Sequence, residues 1–188
     1  MDAETKSILR VRKMTQRGHQ SAAAVAPVVL VDTGTPKSTT AIADGPTRIG
    51  ASWTDVTDVL LSHDHPDHIG SLPGVRTHAP RATVWGNAPL TGRGLNECDV
   101  VRGLTVLATP GHTAGHVSLL HESGALLVGD LVGNQGGALS RPPARFTDDA
   151  EEAERSLSRI ASMDVDRLLT SHGAELADPS RSLGRLLH

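Results

Sequence analysis

Directly after the apolar run Val59-Leu60-Leu61, the sequence reads Ser62-His63-Asp64-His65-Pro66-Asp67-His68, placing three histidines and two aspartates within six residues. The stretch Val56 to Leu61 is predicted to be a short buried strand, which puts this cluster at a strand's carboxyl end, where open α/β sheets present their ligand sites. So many imidazoles and carboxylates held together are costly to desolvate unless a cation shares them. Nitrogen and oxygen donors of this kind suit Zn²⁺ or Fe²⁺. His63 and His65 alternate, so they can point one way, while Asp67 and His68 lie beyond the turn at Pro66 and can point another; two adjacent metals would fit.

A solvated polar loop is the plain alternative, but further donors recur downstream in the same setting. His112 lies in Thr109-Pro110-Gly111-His112-Thr113-Ala114-Gly115-His116, after the strand-like Leu104 to Ala108. Asp130 ends the apolar run Ala125-Leu126-Leu127-Val128-Gly129, and His172 follows Leu168-Leu169-Thr170-Ser171. Each donor stands just past a run that reads as a buried strand.

The ordered motifs Asp32-Thr33-Gly34, His63 to His68, Pro110-Gly111-His112, Gly129-Asp130 and Ser171-His172-Gly173 resemble those of the metallo-β-lactamase-fold metallohydrolases, from about Val28 to Gly173. The resemblance implies an α/β (α+β) chain folded as a four-layer αββα sandwich. It also implies one metal on His63, His65 and His112 and a second on Asp67, His68 and His172, with Asp130 bridging them. Two divalent ions are expected, zinc first, with iron or manganese as alternatives. Ions roughly 3.5–4 Å apart can share a hydroxide, lower its pKa and polarise a carbonyl or phosphoryl oxygen. Asp67 and His116 are the catalytic candidates: Asp67 lies beside the expected nucleophile, and His116 is placed behind the ligands or near the substrate. Asp32 is expected to orient a metal-bound histidine from behind.

Composition narrows the partners. A formal net charge of −3, with 18 basic and 21 acidic residues interspersed, favours neither nucleic acid nor an anionic membrane surface. A small-molecule substrate is expected, and the oligomeric state is not legible. Residues 1–188 are expected to form a single domain. The only cysteine, Cys98, excludes an intrachain disulfide and reads as a packed or half-exposed thiol. No apolar run approaches the ~20 residues of a membrane span, and Met1-Asp2-Ala3-Glu4 does not open a secretory leader, so a cytoplasmic protein is expected.

Along the chain, Ile8 to Arg12 is predicted as an edge strand, with Arg17 to Ser21 turning after it, and Val28 to Val31 as a buried strand delivering Asp32. Lys37 to Gly50 is a weak helix candidate interrupted at Gly45-Pro46, and Ser71 to Val75 is too broken for a helix. Strands are expected at Ala82 to Trp85, Val100 to Ala108, His116 to His121, Ala125 to Val128 and Arg167 to Thr170. Asn87 to Gly94 and Asp130 to Phe146 read as loops, the second near the metals. Thr147 is the expected cap of a helix with the apolar face Ala150, Ala153, Leu157, Ile160 and Ala161, and Pro179 to Leu187 a closing helix. The runs ending at Asp32 and Asp130, and those ending at His63 and His172, resemble one another, which suggests two facing ββα halves.

Within the resembling family, Asp130 favours the thioesterase and lactonase-like branches over true metallo-β-lactamases. With 16 residues after His172, ordinary glutathione thioesterase activity is not expected, and with no tyrosine the quorum-quenching lactonase pattern is not expected either. The expected function is metal-dependent hydrolysis of an ester, thioester or lactone by a metal-bridging hydroxide. The alternatives are a mononuclear iron persulfide dioxygenase and a non-catalytic binding protein on the same fold.

Overall fold

The computed structural model describes residues 8–10, 27–176 and 179–187; the turn expected at Arg17 to Ser21 lies outside them. The first sheet contains β1 (Ile8–Arg10), β2 (Val28–Val31), β3 (Val56–Leu60) and β4 (Thr83–Trp85), in that order. β1 is antiparallel to β2, whereas β2, β3 and β4 run parallel. Between these strands lie α1 (Thr39–Arg48), α2 (Pro66–Ile69) and α3 (Leu72–His78), and one helical turn, α4 (Ala88–Thr91), follows β4. The chain continues through β5 (Val100–Val101), β6 (Leu104–Ala108), β7 (Val117–His121) and β8 (Ala125–Leu127), then a separate hairpin of β9 (Gly133–Gln135) and β10 (Ala138–Ser140). After α5 (Ala150–Ala161), β11 (Arg167–Leu169) completes the second sheet in the order β11-β8-β7-β6-β5, and α6 (Pro179–Leu187) closes the described chain.

Successive strand residues face opposite sides, so uniformly apolar strands must be covered on both. Val28 and Leu30 pack outward on Ile42 of α1 and on Leu72 and Val75 of α3. Their neighbours Val29 and Val31 pack inward on Leu104, Val106, Leu119 and Leu127 of the second sheet. On that sheet's far side, Leu126 and Leu168 meet Leu157 and Ile160 of α5 and Leu183 of α6. These three apolar interfaces separate four layers, and the architecture is the αββα sandwich of the metallo-β-lactamase fold.

Several local expectations are corrected. α1 continues through Gly45-Pro46 because Pro46 is buried on the same helical face as Ile42, and that burial offsets the lost backbone bond. α3 does form: Pro73 falls in its first turn, where the missing N–H has no helical partner to lose, and Leu72 and Val75 are buried. The strand expected over Val100 to Ala108 is a hairpin, reversed at Arg102-Gly103, whose φ values of 53° and 82° both lie in the left-handed region. The loop expected over Asp130 to Phe146 contains the β9–β10 hairpin, with Ser140 opposite Gly133. Asp149, rather than Thr147, caps α5, its Oδ1 accepting the Glu152 N–H at 2.9 Å. Cys98 is exposed.

The internal echo has a topological counterpart. β2 lies parallel to β3 in one sheet, and β8 lies parallel to β11 in the other. The four strands lead into Asp32, His63, Asp130 and His172 respectively.

A charge inside β3 ties the sheets together. Asp58 is 3% exposed, and its carboxylate accepts hydrogen bonds from Trp85 Nε1 at 2.9 Å, Arg102 Nε at 2.7 Å and Thr57 Oγ1 at 2.8 Å. Burial pushes this carboxyl upward, but the hydrogen bonds from Arg102, Trp85 and Thr57 and the Arg102 charge draw it below its ordinary value. A carboxyl depressed on folding stabilises above its unfolded pKa, and that contribution is lost as pH falls through the folded value. Asp58→Asn is therefore expected to cost about 1–3 kcal/mol at pH 7, with the deficit shrinking below about pH 4. Thermal melts of variant and parent at both pH values check this; equal deficits would contradict it.

Candidate metal centre

The end of β3 builds the first half of the site. Asp32 N–H donates to Leu60 O at 2.8 Å, and Leu61 N–H to Trp85 O at 2.9 Å, which holds the strand end between its neighbours. His65 then adopts an extended conformation as the residue capping α2, and Pro66 occupies the first helical position, where its fixed φ suits the turn. α2 is only one turn long, and it serves to place Asp67 and His68.

Two donor clusters result. One ligand atom from each of His63, His65 and His112 lies within 4.8 Å of the others, and His112 Nε2 is 3.0 Å from His65 Nδ1. Asp67, His68, Asp130 and His172 form the second group under the same 4.8 Å limit. Within it, His172 Nε2 is 3.3 Å from Asp67 Oδ2 and 3.2 Å from Asp130 Oδ2, while His68 Nε2 is 3.3 Å from Asp130 Oδ1. Asp130 Oδ2 also lies 3.7 Å from His112 Nε2, so this one carboxylate faces both clusters. All seven candidate ligands read from the sequence meet here.

A buried set of hydrogen bonds fixes the ring orientations. Asp32 has φ of 60°, and its carboxylate accepts from Ser62 N–H and Ser62 Oγ–H, each at 2.8 Å, and from His68 Nδ1–H at 2.8 Å. His68 O in turn accepts from Thr33 N–H at 2.6 Å and from Thr33 Oγ1 at 2.9 Å. With the Ser62 hydroxyl committed to Asp32, the network assigns His63 Nδ1 as donor to Ser62 Oγ at 3.0 Å. The Nε2 atoms of His63 and His68 are then both directed into the centre, His68 gaining a free lone pair there when its second proton is displaced. Ser62 and Thr33 were missed by the sequence reading; their hydroxyls carry no signal until the fold brings them beside Asp32. Asp32→Ala is expected to weaken metal affinity by about 10–100-fold while the fold persists. Chelator competition checks this, and unchanged affinity would remove Asp32 from that role.

The electrostatics fit cations. His63 Nε2 is buried without a hydrogen-bond partner, which costs about 1–3 kcal/mol unless something occupies the space before it, and His68 Nε2 and Asp130 Oδ1 are buried with only each other in reach, at 3.3 Å. Burial and the neighbouring imidazoles hold His63 well below the usual histidine range and draw His112 below its ordinary value, which favours neutral donors, although Asp130 opposes both shifts. In the second cluster, burial pushes His68 down, but Asp130 and Asp32 outweigh it and raise it to about 9. Asp130 and Asp67 raise His172 to about 10. Hydrogen bonding to His172 lowers Asp67 to about 2; burial pushes Asp130 up, yet His172 and His68 hold it far below the carboxylate range. Without metal, protons on two histidines thus balance two carboxylates, and a divalent ion would replace them. The residues present fit a nitrogen-rich and a carboxylate-containing metal site side by side.

Residues 24–90 and 97–172 match the sequence profile of the metallo-beta-lactamase superfamily, well over half of the chain. The chain belongs to the metallo-β-lactamase superfamily. Among relatives of this metallo-β-lactamase-fold protein, the probable metallo-hydrolase YflN of Bacillus subtilis is 28% identical over 199 residues, covering 77% of this chain and 75% of its own. A hydroxyacylglutathione hydrolase of Aeromonas salmonicida is 31% identical over 133 residues, 65% of this chain and 49% of its own. The chain thus spans about half the length of that relative. A metallo-beta-lactamase family protein from Thermus thermophilus superposes with a TM-score of 0.68 at 24% identity, over 86% of this chain and 70% of its own.

Of the two places expected for His116 in this metallo-β-lactamase fold, the structure shows the one behind the candidate ligands. It is 1% exposed; Nδ1 lies 3.0 Å from Thr109 O and 2.8 Å from Thr109 Oγ1, and Nε2 accepts the Asp130 N–H at 3.1 Å. Burial lowers it to about 4, so it is neutral and able to accept that bond. Both ring nitrogens serve the protein interior, which corrects the catalytic assignment: His116 positions the backbone of Asp130. Asp67 and His172 are instead half-open and line a cavity of about 540 Å³ together with His65, His112 and Asp130. The cavity wall comes from Pro36, Val132 and the segment from Gly133 to Phe146. Among the described residues, no helix is long and apolar enough to cross a membrane.

Proposed function

We propose that this member of the metallo-β-lactamase superfamily is a binuclear metal-dependent hydrolase of a small-molecule ester, thioester or lactone. The observation that carries the reading is a complete set of seven donors in two clusters, joined by Asp130 and open on one side to a cavity. His63, His65 and His112 would hold one divalent ion and Asp67, His68 and His172 the other, with Asp130 between them. Such a pair, when bound, supplies water activated at neutral pH and polarises the scissile carbonyl.

The chain's own residues organise the rest. Asp67 is ionised at neutral pH and borders the cavity, so its carboxylate can orient the attacking water and accept its proton. His172 holds Asp67 in place through their 3.3 Å contact. Water adds across the carbonyl, the bond to the leaving oxygen or sulfur breaks, and the proton passes to that leaving atom, giving an acid and an alcohol or thiol. The similarity to a metallo-hydrolase and to a hydroxyacylglutathione hydrolase supports a hydrolytic reaction.

The test is turnover by metal-replete protein on ester, thioester, lactone and phosphodiester panels, with metal per chain measured on the same sample. Multiple turnovers on carbonyl substrates with two metals per chain are expected. Oxygen consumption with a persulfide at one iron per chain would replace the proposal with the oxidative reading, and metal binding without turnover would favour a binding protein.

A further inference from the structure

The cavity beside the metal centre carries information about the substrate that the ligand set does not. Its apolar wall is formed by Pro36, Val132, Pro142, Pro143 and Phe146, beside Pro66 of α2. Phe146 is the only phenylalanine in a chain without tyrosine, and it stands 49% exposed at this cavity rather than in the core. Proline and phenylalanine side chains offer apolar contact with little rotamer entropy to lose on binding.

The charges complete the picture. Arg141 is the one lysine or arginine among the described residues lining the cavity, and its Nε and Nη2 are engaged by the two carboxylate oxygens of Glu154, the latter at 2.8 Å. A guanidinium in such a two-point pair has its charge balanced. The Arg145 guanidinium lies 4.6 Å from the centre of the Phe146 ring and stacks on it. Arg145 is not itself on the lining, so among the described lining residues the contacts are largely apolar and the one cation, Arg141, is already held by Glu154.

Resting on the hydrolase reading above, we infer that this wall receives an uncharged, apolar acyl chain of the substrate, with Phe146 as the residue that grades its length. Gln135 and Ser140, also on the lining, leave polar contacts for the carbonyl end or leaving group.

The test uses metal-loaded protein and 4-nitrophenyl esters from acetate to octanoate, with the hemisuccinate ester as the charged counterpart of the butyrate. A buried methylene contributes about fourfold, so kcat/KM is expected to climb by up to about that factor per methylene until the wall is covered. The butyrate ester should exceed the hemisuccinate ester. Phe146→Ala is expected to flatten the climb, and Glu154→Gln, which uncovers the Arg141 charge, to raise the hemisuccinate-to-butyrate ratio. A flat profile, or preference of the parent protein for the hemisuccinate ester, would overturn the inference while leaving hydrolysis intact. Should no ester be cleaved, the hydrolase reading fails, and calorimetric binding of octanoate against butyrate still decides the wall. Octanoate must then bind more tightly, with the difference reduced in Phe146→Ala; equal affinities overturn the inference.

Discussion

Asp130→Ala protein is expected to lose metal from both positions and to hydrolyse substrate slower than the parent by a factor on the order of 10²–10⁴. One Asp130 oxygen lies 3.3 Å from His68 Nε2, and the other lies 3.2 Å from His172 Nε2 and 3.7 Å from His112 Nε2. Truncation therefore strips a negative charge from a buried group of imidazoles, and removing one partner of such a set costs about 3–5 kcal/mol, which sets the factor above. Elemental analysis and kcat/KM measured on the same preparation check the prediction. Full metal retention would mean that the two clusters do not depend on a shared carboxylate. Asp130→Asn keeps the shape and removes the charge, so a similar loss there would assign the effect to charge rather than to a cavity.

The second large effect is expected from Gly111→Ala, immediately before His112. Gly111 has φ of 128°, and a Cβ built there would fall 2.1 Å from Ala153 N and 2.4 Å from Ala153 Cα, both backbone atoms of α5. The same region docks the helix: Gly111 O accepts the Asp149 N–H at 2.9 Å, His112 O accepts the Asp148 N–H at 3.2 Å, and Ser156 Oγ donates to Pro110 O at 2.7 Å. The added methyl must push α5 and the His112 loop apart. Overpacking and backbone strain together suggest about 2–6 kcal/mol of destabilisation, a fall in Tm of very roughly 5–20 °C. Gly115→Ala is the control, since a Cβ there meets nothing within 4 Å and should leave Tm nearly unchanged. A Gly111→Ala protein that melts with the parent would show that the loop relocates freely.

The candidate donor set was legible in the sequence because its chemistry is concentrated in residue types that seldom crowd together without a cation. His63 to His68 announced the site, and the apolar runs before His112, Asp130 and His172 placed each donor at a strand end. A buried strand was legible as well: Val28 to Val31 is buried throughout, and its unbroken apolar character shows it. What was hidden depends on partners far along the chain. Asp58 looks like an interruption of β3 until Arg102, 44 residues away, and Trp85, 27 residues away, close around it. The sequence leaves His116 either behind the ligands or near the substrate, and the Thr109 carbonyl and the Asp130 N–H on its two nitrogens put it behind them. The β9–β10 hairpin was obscured because its strands lack an apolar alternation; Gly136-Gly137, with φ of 63° and 90°, was the turn signal available.

The parallel pairs β2–β3 and β8–β11 give the metal centre a mechanical meaning. Each sheet supplies donors from the ends of its own strands, so an ion held jointly by His68 and Asp130 would stitch the first sheet to the second across the seam between them. The stitch spans residues remote in sequence, which is where a cross-link removes the most freedom from the unfolded chain. Gly173 tightens the last stitch: with φ of 105°, it brings its backbone so near the β9 hairpin that a Cβ would lie 1.8 Å from Asn134 O, which seats His172 against the cavity wall. Metal uptake would thus also be an assembly event, in which the sandwich gains a fastening at the same edge that opens onto the cavity.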